Sequence, residues 1–118
     1  MHTNIYDQAR SLADALKQCE EYREYTRLRD AAYQDDTNRA LLDEYKRMQY
    51  KLQLKMAGGA SMEEDDLKRM QQIAALLQFN QDTSTYLLAE FRFQKLLADI
   101  YKLLAEAAGI NLDLLTGV

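Results

Sequence analysis

Residues able to do chemistry are few and scattered in this 118-residue chain. The single histidine, His2, stands near the N-terminus, where chains tend to fray. A di-iron helical bundle needs two Glu-x-x-His motifs, and none is present. Cys19 is the single cysteine, so one chain can form neither an internal disulfide nor a tetrahedral thiolate site. Its chemistry is that of a small part-buried residue at a helix junction, a redox switch, or a ligand shared between subunits. Gly58-Gly59 lacks the Lys-Ser/Thr of a phosphate-binding loop. The carboxylates fall at expected helix starts or alternate with Lys and Arg, as on solvated faces. These residues name no nucleophile, no tuned base and no metal site, so no catalytic residue, metal or cofactor is expected.

One charged pattern is a candidate for binding. Arg47, Lys51 and Lys55 recur in steps of four with Lys46 beside them, a basic ridge along one helix face that suits a nucleic-acid backbone. The alternative is an ordinary solvated surface. The following helix opens with Glu63, Glu64, Asp65 and Asp66, which would repel phosphate at the end where a helix-turn-helix reads bases. The net charge of −4 adds no general attraction to nucleic acid or anionic lipid. Direct nucleic-acid contact is therefore the secondary expectation.

The elements that carry these residues are helical throughout. There is no Pro and only four Gly, and Leu, Ala, Gln, Glu, Lys and Arg dominate. Hydrophobic residues make up 47% and charged residues 29%, enough for both a core and a hydrated surface. The length predicts one domain over 1–118. No apolar run approaches a membrane span. Met1-His2-Thr3-Asn4 does not begin an export signal, and a cytoplasmic location is expected.

Five helices are expected. The first starts at Thr3 or Asn4 and carries Ile5, Ala9, Leu12, Ala13 and Leu16 on one face. It breaks near Gln18-Cys19. The second runs to about Tyr33 with a tyrosine-rich face of Tyr22, Tyr25, Leu28, Arg29, Ala32 and Tyr33, and reads as peripheral or as part of an interface. Asp35-Asp36 cap the third, about Thr37 to Ala57, with Leu41, Tyr45, Met48 and Leu52 inward. Gly58-Gly59 turns it back on the fourth as an antiparallel hairpin. Ser61 and Glu64 form a capping box there, and Leu67, Met70, Ile73, Ala74 and Leu77 mark the buried stripe. Asn80 caps the fifth and Gly109 closes it. The tail from Ile110 to Val118 is apolar enough to fold back on the bundle.

The fifth helix, Thr83 to Ala108, organises the rest. One face carries Tyr86, Phe93, Leu96, Leu97, Ile100, Leu103, Leu104 and Ala107, and a second strip carries Leu87, Leu88, Phe91 and Ala98. A helix apolar on two sides must be covered on two sides. At roughly 40 Å it would overhang a globule of this mass, so the molecule is elongated or two copies pair. Pairing is favoured, with self-association through Tyr86, Phe93, Leu96, Leu97, Ile100 and Leu104. Tyr22, Tyr25, Tyr33, Tyr45, Tyr50, Tyr86 and Tyr101 lie on expected helices, which suits either protein–protein contact or a wet core edge.

The order of these elements resembles the YlbF/YmcA/YheA family of small bacterial helical proteins. The resemblance rests on Ile5-Tyr6-Asp7-Gln8-Ala9-Arg10-Ser11-Leu12-Ala13, Cys19-Glu20-Glu21-Tyr22, Asp35-Asp36, Gly58-Gly59, and Asn80 before Tyr86-Leu87-Leu88-Ala89-Glu90. Gln81 stands where the family usually has Pro. The resemblance implies an all-α, homo-oligomeric cytoplasmic regulator that acts through protein partners. It points to complexes influencing RNA processing, competence, sporulation or biofilm formation. Some relatives carry C-terminal cysteines tied to an iron–sulfur cluster, but no cysteine follows Cys19 here, so no cluster is carried over. The expected product is a five-helix antiparallel bundle acting as a non-enzymatic adapter with a still unidentified protein partner. An RNA-associated protein using the basic ridge is the alternative.

Overall fold

The structure, a computed structural model, describes residues 4–110. Five helices follow one another: α1 (Ile5–Gln18), α2 (Glu20–Gln34), α3 (Asp36–Ala57), α4 (Glu64–Phe79) and α5 (Gln81–Ala108). No strand occurs among the described residues. The fold is all-α, as expected from the sequence. The expected tail contacts beyond Ile110 lie outside the described residues.

The helix boundaries come from local chemistry. Asn4 accepts the Tyr6 amide with its side chain, Asp35 accepts that of Asn38, and Asn80 accepts those of Asp82 and Thr83. Each bond satisfies an amide that the first turn of a helix leaves without a partner. Gly58 and Gly59 end α3: Gly59 takes φ 79°, and the Ala60 amide reaches back to the Lys55 carbonyl at 2.8 Å. A residue with a Cβ would be strained at that φ. Gly109 ends α5 in the same left-handed region.

The expected capping box is not formed. Residues 58–63 carry out the reversal, so α4 opens at Glu64, with Glu63 at the cap position and no side-chain cap bond. Glu64 is then the first helical residue and cannot reach back to Ser61. Instead Glu64, Asp65 and Asp66 occupy the first turn, where the helix dipole favours negative charge. Cys19 likewise separates α1 from α2 in extended conformation and makes no cap bond with its side chain.

The core is Ala32, Leu42, Ile73, Leu77 and Tyr86, one or two residues from each of α2 to α5. Tyr25, Leu28, Tyr33, Leu41, Tyr45, Met48 and Leu87 pack around it. Its floor is α2 against α5. Tyr25 stacks on Tyr86 and on Phe93 at ring-centroid distances of 6.0 and 5.4 Å, Tyr33 meets Tyr86 edge-on at 5.8 Å, and Tyr22 reaches Phe93 at 5.4 Å. Such offset and edge contacts add to simple area burial. So the tyrosine-rich helix is not peripheral: its rings form the main packing against α5.

α3 and α4 form the expected antiparallel hairpin. Arg69 bonds Glu44 at 3.0 and 3.1 Å, and Lys51 bonds Asp66 at 2.7 Å. At its open end, Asn80 Nδ2 donates to Asn38 Oδ1 at 3.2 Å, and Thr83 Oγ1 donates to the Leu77 carbonyl at 2.6 Å. These bonds satisfy part-buried polar groups where α3, α4 and α5 converge.

α1 stands apart. It buries no residue, and its packing is against α2. The molecule is long and thin, 58 × 37 × 16 Å, with a radius of gyration of 17.6 Å. A compact chain of this length would have about 13 Å.

Candidate interaction surface

α5 has a covered half and a bare half. Between Thr83 and Phe93 its inner face meets α2, α3 and α4 and is largely buried. α2 begins at Glu20, opposite the Phe93 level, and its cover ends there, although Ala105 further along α5 is buried. Leu96, Leu97 and Ile100 are half-buried, and Leu103 and Leu104 are 65% and 58% exposed. The second strip is also open at Leu88 and Phe91, while Leu87 packs against the core.

The six residues assigned to self-association therefore divide. Tyr86 lies inside the chain's own core with no exposed area, so it supports α5 from within and offers no surface to another molecule. Phe93 is held in the aromatic stack by Tyr22 and Tyr25. Leu96, Leu97, Ile100 and Leu104 lie along the open half.

The basic ridge is offset from across the hairpin. Lys51 is taken up by Asp66, whose carboxyl is held below its ordinary range by that hydrogen bond, and the lysine is held correspondingly high. Lys55 lies close enough to act on the same carboxylate, and Arg47 acts on Glu44. Glu44 is itself held low, first by its hydrogen bond from Arg69. Glu63 and Asp66, where α4 opens, thus offset Lys51 and Lys55, and Arg47 faces Glu44 of its own helix.

Lys46, read from the sequence as the ridge's neighbour, points the other way. Its ammonium donates to the Tyr86 hydroxyl at 2.6 Å and to Glu90 Oε2 at 2.7 Å, and Tyr86 donates to the same carboxylate oxygen at 2.7 Å. Burial alone would lower the Lys46 pKa, but the hydrogen bond and charge of Glu90 outweigh it and raise it. Burial and Glu90 together push the Tyr86 hydroxyl far above its ordinary value. The sequence contained one signal for this trio, the four-residue spacing of Tyr86 and Glu90. The third member comes from a distant helix. The trio locks α3 to α5.

An open groove of about 580 Å³ runs between α2 and α5, floored by Leu28, Leu88 and Ala89 and rimmed by Glu20, Glu21, Glu24, Asp82, Arg27 and Arg92. Among the described residues no group of His, Cys, Asp and Glu is placed to hold a metal ion. None of the described helices is long and apolar enough to cross a membrane.

Relatives share this frame. A UPF0342 protein of Caldicellulosiruptor saccharolyticus is 31% identical over 108 residues, covering 92% of this chain and 90% of that protein. A UPF0342 protein of Bacillus licheniformis is 31% identical over 104 residues, covering 88% and 89%. The solved structure of a protein of unknown function (DUF964) from Bacillus stearothermophilus superposes with a TM-score of 0.75 at 20% identity, over 89% of this chain and 92% of that one, and so shares the fold. The family model described as "Control of competence regulator ComK, YlbF/YmcA" matches residues 5–108, nearly the whole described chain. From its helix order, its caps and this match, the chain belongs to the YlbF/YmcA family of regulatory proteins.

Proposed function

We propose that this chain is a non-enzymatic cytoplasmic adapter that acts by binding proteins and pairs with a second copy of itself through the open half of α5. The observation that carries the reading is the apolar face of α5 continuing past the end of its cover, through Leu97 and Ile100 to the exposed Leu103 and Leu104. Contiguous apolar surface of this kind on a water-soluble chain marks a binding face. Membership of a regulatory family supports a role exercised through contacts.

Leu104→Asp tests the placement. Its side chain is already 58% exposed in the single chain, so the change leaves the core of that chain alone. An unpaired carboxylate in an apolar interface is costly, so self-association should weaken by an order of magnitude or more, about 1.4 kcal/mol or above. Leu97→Asp, nearer the core, should act in the same direction with some loss of stability. If both variants keep their helical signal and the wild-type mass in solution, the interface lies elsewhere.

A further inference from the structure

We infer that α1 is an exchanged arm: in the paired molecule, α1 of one copy lies along the open half of α5 of the other, and the two arms cross reciprocally. This rests on the self-association reading above and specifies what covers the exposed face.

The exposed area of one chain is larger than a folded monomer needs. The chain exposes 9149 Å², whereas a folded monomer of 13.7 kDa exposes about 6,600 Å². Allowing each of the eleven residues outside 4–110 the largest area an extended chain gives, about 170 Å², and scaling the rest alone, still leaves about 1,200 Å² in excess. A standard interface takes about 800 Å² from each partner, and an obligate homodimer takes more. The single chain therefore carries a full partner's share of uncovered surface.

This surface comes as two matching strips. α1 is amphipathic, with Ile5, Ala9, Leu12, Ala13 and Leu16 on one face and Asp7, Arg10, Asp14 and Lys17 elsewhere. Yet it buries nothing, and Ile5 is 80% exposed. A helix of 14 residues spans about 21 Å, and the open part of α5, the thirteen residues from Leu96 to Ala108, about 20 Å. Neither apolar strip contains a charged side chain. An isolated helix this short is marginal in water unless its apolar face is packed, so the arm needs a cover as much as α5 does.

The direction of α1 keeps it from covering α5 of its own chain. A helix continuing from α2 through residue 19 would run on along α5 past Phe93 and cover Leu97 and Leu104 within the same chain. The extended backbone at Cys19 (φ −74°, ψ 157°) breaks that path, and Leu103 and Leu104 stay open. A second copy supplies the same arm. An exchange between two identical chains closes on itself with two-fold symmetry, covering both arms and both α5 faces and leaving no strip to propagate.

The test uses full-length chains with Cys19→Ser, which removes the native thiol. One carries Ala9→Cys and a mass tag, the other Ile100→Cys. These positions sit near the centres of the two strips and meet whichever way the arm lies. After mixing and subunit exchange, a short bis-maleimide should link tagged to untagged chain. A single chain carrying both cysteines, diluted into excess cysteine-free chain, should show little internal linkage. In parallel, Ile5→Glu with Leu12→Glu should raise the dissociation constant of the pair at least tenfold while the helical signal of α2 to α5 is kept. Linkage within one chain, or a pair that forms undiminished in the Ile5/Leu12 variant and yields no mixed product, overturns the exchanged arm and leaves pairing through α5 standing. A wild-type chain that sediments as a monomer overturns both.

Discussion

Replacing Lys46 with methionine probes the lock between α3 and α5. The variant keeps the hydrophobic stem and removes the ammonium from Glu90, which retains the hydrogen bond from Tyr86. Removing one member of a fully buried ion pair costs about 3–5 kcal/mol. Here the side chains of Lys46 and Glu90 are 35% and 16% exposed, so water reaches the pair and screens it. The expected loss is about 1–2 kcal/mol, which lowers the melting temperature of a domain of this size by roughly 5–10 °C. Urea and thermal unfolding at one fixed protein concentration measure it, since association would otherwise shift the result. The cycle of Lys46→Met, Glu90→Gln and the double variant should show a coupling of about 1 kcal/mol. The pH dependence has a definite sign. Lys46 and Tyr86 both hold their protons more tightly in the folded chain than in the unfolded one. The stability they confer is complete below about pH 10 and declines above it, as the unfolded chain releases protons that the folded chain keeps. Tyr86→Phe should flatten that decline. Additive single losses, with coupling below about 0.3 kcal/mol, would refute the trio as a lock.

Other outcomes follow from the same structure. Asn80→Ala removes both a helix cap and the bond to Asn38, and should cost about 1–2 kcal/mol in chemical denaturation. Thr83→Val leaves the buried Leu77 carbonyl without its hydroxyl partner and should cost about 1–3 kcal/mol. Asp66 and Glu44 are held below their ordinary carboxylate range, so the cross-hairpin pairs help above the unfolded carboxylate pKa and are lost as pH falls through the folded values. Acid titration followed by carboxylate NMR should place both midpoints below those of solvated Asp and Glu. Because Asp66 neutralises Lys51, reversing the ridge with Arg47→Glu and Lys55→Glu should leave any weak RNA retention at low salt nearly unchanged; a steep loss would restore the ridge as a binding face.

The sequence was most legible where chemistry is local. Asn4, Asp35 and Asn80 accept backbone amides within three residues, and Gly59 and Gly109 adopt the left-handed region that other residues avoid, so helix ends could be read directly. The capping box failed because Ser-x-x-Glu spacing does not say how many residues a reversal consumes. Periodicity identified which face of α5 is apolar but not where its cover ends. Leu96 and Tyr86 look alike in the pattern, yet one is half-open and the other lies inside the core. Tyrosine on α2 suggested a wet edge because its type permits one, whereas stacking on Tyr86 and Phe93 drew those rings inward. Lys46 belonged by spacing to a surface ridge, and only the fold brings it to a carboxylate 44 positions away.

The most direct test of the account is the mass of the wild-type chain in solution. Sedimentation or light scattering should be followed from micromolar to hundreds of micromolar, with Leu104→Asp as the comparison. The wild-type mass should be twice 13.7 kDa, and Leu104→Asp should shift towards a single chain that keeps the helical signal of α2 to α5. A wild-type chain that stays at 13.7 kDa throughout would contradict it, because the open half of α5 would then be exposed without a partner.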